Sequence, residues 1–133
     1  YCLWAIFFDV YMGRRFFIVN LHLDHQNQRV NENAALQLVG LIRDHSQGLP
    51  AVICGDFNSR RKSKTQEVIV REYSRVLENT QQGTYNTPIP LQIDQIFINT
   101  QFRCKESTIE PAKRNEFLVS DHKIITAVLE LID

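Results

Sequence analysis

The sequence predicts an α/β fold, a mixed β-sheet carrying helices on one face, and two observations carry that prediction. Short apolar runs rich in aromatic and β-branched residues recur along the chain, the composition that strands favour. Between them stand two segments whose apolar residues recur at helical spacing. The resulting order, ββαβαβββ, is that of a mixed sheet with helices packed on it.

Leu3 to Tyr11 reads as the first strand, Met12-Gly13-Arg14 as a turn and Arg15 to Leu23 as the second strand, so the two form a hairpin. In the second strand Phe16 and Ile18 alternate with Phe17, Val19 and Leu21. Both faces are therefore apolar, as in a strand covered on both sides. Asn31 to Gln47 reads as a helix capped by Asn31 and stopped at Gly48, with Ala35, Leu38, Val39 and Ile42 as its buried stripe. Pro50 to Cys54 is a short buried strand, and Thr65 to Asn79 a second helix with Ile69, Tyr73, Val76 and Leu77 inward. Gln81 to Pro90 is a loop, and Ile93–Ile98, Phe102–Ile109 and Lys123–Leu131 are three further strands.

The 133 residues suffice for one domain with one core. Lys plus Arg is 15 and Asp plus Glu is 15, so the charge balance makes no whole-chain case for nucleic acid or an anionic membrane. Three scattered cysteines build no disulfide framework, and Cys54, inside an apolar run, is expected to be a buried thiol. No apolar run reaches the roughly 20 residues of a membrane span, and no signal-peptide pattern is present. The sequence does not give the compartment, and the cytoplasm stands only as the default. The start at Tyr1-Cys2-Leu3-Trp4, already apolar and without Met, reads as cut from a longer chain.

Four motifs sit at or just past strand ends, the rim where α/β sheets place their sites. They are Asn20-Leu21-His22-Leu23-Asp24-His25, Gly55-Asp56-Phe57-Asn58-Ser59, Ile93-Asp94 and Ser120-Asp121-His122. Each has an ordinary reading: a rim histidine, an Asx turn, an edge carboxylate, a polar tripeptide. Asp94 is the least ordinary, because an acid inside an apolar strand is costly unless paired, and a histidine partner would account for it.

In chain order, His22, Gly55-Asp56-Phe57-Asn58, Ile93-Asp94 and Ser120-Asp121-His122 resemble the signature of the endonuclease/exonuclease/phosphatase (DNase I-like) superfamily, and the resemblance runs from Arg15 to Leu131. It implies half of a four-layer α/β sandwich, two mixed sheets face to face with helices outside. The chain would be its C-terminal part, a single unit over residues 1–133. The N-terminal part would carry an Asn and a Glu that bind metal. Glu32, Glu67 and Glu72 lie in helices at the wrong place in the order to replace that Glu. One sheet alone is expected to leave an apolar face uncovered.

The chemistry implied is in-line attack of water on a phosphate ester, with Mg²⁺ (or Mn²⁺) neutralising the charge that gathers on the phosphate. By resemblance, Asp56 orients or deprotonates the water and also reaches the metal, Asn58 donates to a non-bridging oxygen, and His122 contacts the scissile phosphate as a base or as a charged donor. Asp94 fixes the tautomer of His122, Asp121 is a metal ligand, and His22 contacts phosphate from the opposite wall or assists the leaving group. Ser59 is read as capping its turn and Ser120 as supporting the Asp121-His122 turn, with Asp24 and His25 as loop structure. His22 argues against the apurinic-endonuclease branch, which has Tyr-x-Pro-Asn there, and does not separate the others. Arg60-Arg61-Lys62-Ser63-Lys64 could draw a polyanion to the site, with Arg60 and Arg61 binding substrate and nucleic acid as one candidate, and it reads equally as a solvated loop. Two alternatives stay open: a lipid or phosphoinositide phosphoesterase, and a truncated, inactive binding module on the same fold.

Overall fold

The computed structural model describes residues 1–78 and 80–132. Nine elements follow one another: β1 (Cys2–Asp9), β2 (Arg14–His22), α1 (Gln28–Ser46), β3 (Ala51–Asp56), α2 (Lys64–Val70), β4 (Ser74–Arg75), β5 (Asp94–Ile98), β6 (Phe102–Arg114) and β7 (Phe117–Leu131). Five strands form one mixed sheet in the order β1-β2-β3-β5-β4, and β6 and β7 form a two-stranded sheet of their own. Among the described strands only β2 and β3 pair in parallel, and α1 is the crossover between them, the connection a parallel pair needs.

One face of the main sheet packs under the helices. Phe17, Val19 and Leu21 of β2, Ile53 of β3 and Phe97 of β5 meet Ala35, Leu38, Val39 and Ile42 of α1 and Ile69 of α2 in a single buried cluster. The opposite face of β2 is only half-covered. Phe16 and Ile18 pack with Val52, Ile98 and Phe102 and with Leu129 and Leu131 of β7. The face expected to stay bare continues on β1, where Leu3 is 71% and Phe7 47% exposed on the side of Phe16, and bare apolar side chains recur at the start of β7 in Phe117, Leu118 and Val119. Cys54 is half-buried and free, its Sγ donating to Val19 O, and burial pushes its thiol pKa up.

Four predicted elements differ most from the observed ones. Helix α1 begins earlier and is capped by Asn27, whose Oδ1 accepts from Arg29 N and Val30 N. The residue predicted as the cap, Asn31, is instead buried inside the first turn. The second helix stops at Val70 and does not continue to Asn79, which lies outside the described residues. Glu72 N and Tyr73 N both donate to Ile69 O, which closes the last turn. The chain then extends as β4 along the free edge of β5, with Val76 N donating to Ile96 O. Finally, β6 and β7 are longer than predicted and zip together almost to the turn at Asn115.

Candidate active site

The main sheet brings three of the predicted residues into one line. His22 ends β2 and faces Asp56 across the β2–β3 pair. Asp56 ends β3 and faces Asp94 across the β3–β5 pair. Residues directly opposite on neighbouring strands have Cβ atoms about 5 Å apart, so the register alone gathers the three side chains at one rim. His22 Nε2 lies 3.7 Å from Asp56 Oδ2. Gly55 makes this approach possible. Its φ is +134°, and a Cβ there would lie 2.0 Å from Leu21 O, so no other residue fits without moving β2.

His122 reaches the same rim from the other sheet. The segment after Gly83 bridges the gap: Thr84 O accepts from Lys123 N at 2.7 Å, and Asn86 N donates to Asp121 O at 2.8 Å. On the side of β5, Thr84 Oγ1 accepts from Ile93 N and Asp94 N. Thr84 is wholly buried. So held, His122 Nδ1 stands 3.0 Å from both carboxylate oxygens of Asp94. A carboxylate only accepts, so Nδ1 carries a proton and Nε2 is the nitrogen turned away from Asp94. Ser120 Oγ accepts from His122 N, the local support expected of it. The Tyr85 ring lies 4.9 Å from the imidazole, tilted by 53°.

The loop after β3 is an Asx turn. Asp56 Oδ1 accepts from Asn58 N at 2.7 Å, and Asn58 adopts a left-handed φ of 45°. The Asn58 amide spends one N–H on Leu23 O at 3.0 Å and carries a second. Asp56 has its carboxyl pKa raised, first by burial and further by Asp94, while Asn58 N–H, His122 and His22 oppose the rise. A cavity of about 420 Å³ opens over these groups, lined by His22, Asp56, Asn58 and His122 together with His25, Ser59, Arg60 and Tyr85.

Most sequence-predicted residues therefore meet at one place, with two departures. The metal-capable donors that lie together among the described residues are Asp56, Asp94 and His122, within 4.8 Å of one another. Asp121, predicted as the metal ligand, is exposed and does not join them. Two carboxylates among the donors suit a hard divalent cation. Arg61, predicted to bind substrate, turns away to Thr80 O and Glu78, whereas Arg60 lines the cavity. Asp24 spends Oδ1 on Gln26 N and Asn27 N, so it is loop structure as expected, while its neighbour His25 lines the cavity. Tyr85, which the sequence placed in a loop, gave no stronger signal than its position before Asp94. Ser59 bonds Gln66 Nε2 at 3.3 Å, and α2 is capped by Ser63.

An endonuclease/exonuclease/phosphatase protein from Bacteroides vulgatus matches over 98% of this chain and 55% of its own, with 31% identity and a TM-score of 0.87. The chain has the endonuclease/exonuclease/phosphatase fold. The mannosyl-6-phosphatase of Bacteroides thetaiotaomicron (22% identity, TM-score 0.83) covers 98% of this chain with 57% of its own. For the human Nocturnin catalytic domain the figures are 15%, 0.83, 98% and 52%. The chain thus spans about half the length of the endonuclease/exonuclease/phosphatase structures it matches. No family model and no curated protein sequence matches it. Among the described residues no helix is long and apolar enough to cross a membrane.

Proposed function

We propose that this protein is a metal-dependent phosphoesterase that hydrolyses a phosphodiester by in-line attack of water. The observation that carries the reading is the cross-strand line His22–Asp56–Asp94 completed by His122, with His22, Asp56 and His122 lining one cavity and Asp94 behind His122. Relatives in fold are named as phosphatases, among them the mannosyl-6-phosphatase.

Asp56 and Asp94, with His122 beside them, are the residues that would hold Mg²⁺ or Mn²⁺. The ion would neutralise charge on the phosphate oxygens. The chain's own groups do the rest. Asp56, its pKa raised by burial, accepts a hydrogen bond from the attacking water and takes its proton more readily than an exposed carboxylate would. Asn58 offers its second N–H to a non-bridging oxygen. Asp94 holds His122 so that Nε2 addresses the phosphate, and it stabilises the imidazolium when that ring carries a proton. His22 closes the opposite wall. Arg60 supplies a charge at the mouth, and a second cavity of about 420 Å³ adjoins through His25, Asn58, Ser59 and Arg60 and adds Lys62. This gives a polyanion such as nucleic acid a route away from the scissile bond. Asp121, exposed on β7, stands outside this donor set.

A second reading is hydrolysis of a small phosphomonoester. The cavity's volume is that of a small-molecule site, and a sugar phosphatase is among the similar structures. Turnover of bis-p-nitrophenyl phosphate and of p-nitrophenyl phosphate, each with and without Mg²⁺, tests both. Diester turnover that needs metal and falls about 10³-fold in His122→Ala is the expected result. Monoester turnover alone would transfer the assignment to the second reading, and a folded, metal-loaded protein inert on both would overturn the phosphoesterase assignment.

A further inference from the structure

We infer that Asn31 is a positioning residue, whose buried amide clamps the His22 loop to the Asp56 loop and sets the gap across which the phosphate is held. The inference rests on the phosphoesterase reading for its consequence, though the clamp itself is a matter of geometry.

Asn31 opens the buried stripe of α1 that continues through Ala35, Leu38, Val39 and Ile42, and it is 2% exposed. Packing alone would favour an apolar side chain there, since a buried amide is costly unless its donors and acceptor are used. Here all are used. Nδ2 donates to Asp24 O at 2.7 Å and to Phe57 O at 2.8 Å. Oδ1 accepts from Thr65 Oγ1 at 2.6 Å. Both carbonyls can only accept, so the amide has one possible orientation.

The two carbonyls belong to different loops. Asp24 lies between His22 and His25, and Phe57 lies between Asp56 and Asn58; all four of these flanking residues line the cavity. Two further bonds join the loops directly, Leu23 N to Asp56 O at 2.9 Å and Asn58 Nδ2 to Leu23 O at 3.0 Å. These bonds fix Leu23 against the Asp56–Asn58 turn. Asn31 fixes the next peptide of each loop to the same buried group, so neither loop can shift by itself. Losing the clamp leaves two carbonyls without a donor and the loops joined only through Leu23. A displacement of about 1 Å at the reacting groups is enough to cost a large part of the rate.

The experiment compares Asn31→Leu and Asn31→Asp with Leu38→Ala, a core truncation two turns further along the same stripe that removes no hydrogen bond to either loop. Each is assayed on bis-p-nitrophenyl phosphate with Mg²⁺, below its own melting transition. A tenfold or larger fall in kcat with KM within twofold is expected for both Asn31 variants, against a change under twofold for Leu38→Ala at equal or greater loss of Tm. Hydrogen exchange of the Leu23 amide supplies an arm independent of turnover: exchange at least tenfold faster in Asn31→Leu than in Leu38→Ala is expected. A kcat loss no larger than that of Leu38→Ala, or an unchanged Leu23 amide, overturns the clamp. A wild-type protein without turnover overturns the phosphoesterase reading instead, and the exchange arm then decides the clamp.

Discussion

Two parts of the candidate site are built on different principles. His22, Asp56 and Asp94 are placed by strand register: they are the last residues of β2 and β3 and the first of β5, and they face one another pair by pair. His122 belongs to a separate two-stranded sheet and arrives through Thr84, Tyr85 and Asn86. Register is strongly specified wherever one face of a sheet is buried, because a one-residue slip would turn every inward side chain outward. The first three residues therefore inherit their geometry from the core. The fourth depends on a few hydrogen bonds, so damage to the strand register should cost the fold, and damage to the bonds that hold His122 should cost activity first.

The largest effect is expected at Gly55. A Cβ there meets the Leu21 carbonyl at 2.0 Å, and backbone inside a sheet cannot yield as a flexible side chain can. Gly55→Ala should destabilise by more than about 4 kcal/mol, read as loss of a cooperative thermal transition by circular dichroism. A variant that still melts near the wild-type Tm would show that the β2–β3 register does not fix the site.

Next comes Asp94→Asn, which keeps the shape, removes the charge and turns one of the two acceptors facing His122 Nδ1 into a donor. A roughly 100-fold fall in kcat, with Tm nearly unchanged, is the expected result. Steady-state kinetics beside calorimetry would check it, and an equal loss in both would erase the contrast between the two parts. Thr84→Val should fall between these regimes. It leaves Ile93 N and Asp94 N without the hydroxyl they now use, at about 1–3 kcal/mol. It should lower kcat about tenfold, while Thr84→Ser, which keeps the hydroxyl, recovers most of it.

The same contrast explains what the sequence made legible. Strand-forming runs with motifs at their ends located His22, Asp56, Asn58, Asp94 and His122, because strand ends at one rim converge whatever the details between them. Elements decided by a distant partner were not legible. Ser74–Arg75 follows Ile69 and Tyr73 at helical spacing, yet β5 has a free edge that takes those residues as a strand. The Arg75 guanidinium then settles over the Phe97 ring and on Gln66 Oε1. Asn31 has the composition of a cap, and only the fold shows that Asn27 does the capping while Asn31 turns inward. Arg60 and Arg61 are indistinguishable as text. What separates them is that the carbonyls of Glu78 and Thr80 lie within reach of Arg61.

The smallest effect concerns the charge of Asp56 itself. Burial and the facing Asp94 raise its carboxyl pKa above the ordinary value. Between the unfolded and the folded pKa the native state therefore keeps a proton that the unfolded state has lost. In that window stability falls as pH rises, since it rises with pH only where the unfolded state binds more protons. Above the window the ionised carboxylate is a standing cost of the metal-free protein. Asp56→Asn keeps an oxygen for Asn58 N and removes the charge, so it should stabilise the metal-free protein at neutral pH by roughly 1 kcal/mol or less. The gain should fade as pH falls below the ordinary carboxylate pKa, where both states of the wild type are protonated. Thermal melts in chelator from pH 3 to pH 8 read this directly. A gain that vanishes when Mg²⁺ is added would fit a cation seated against Asp56. A variant less stable than wild type at pH 7 would mean that the Asp56 carboxylate is a net anchor of the sheet rim, and the division between fold-placed and activity-placed residues would have to be redrawn there.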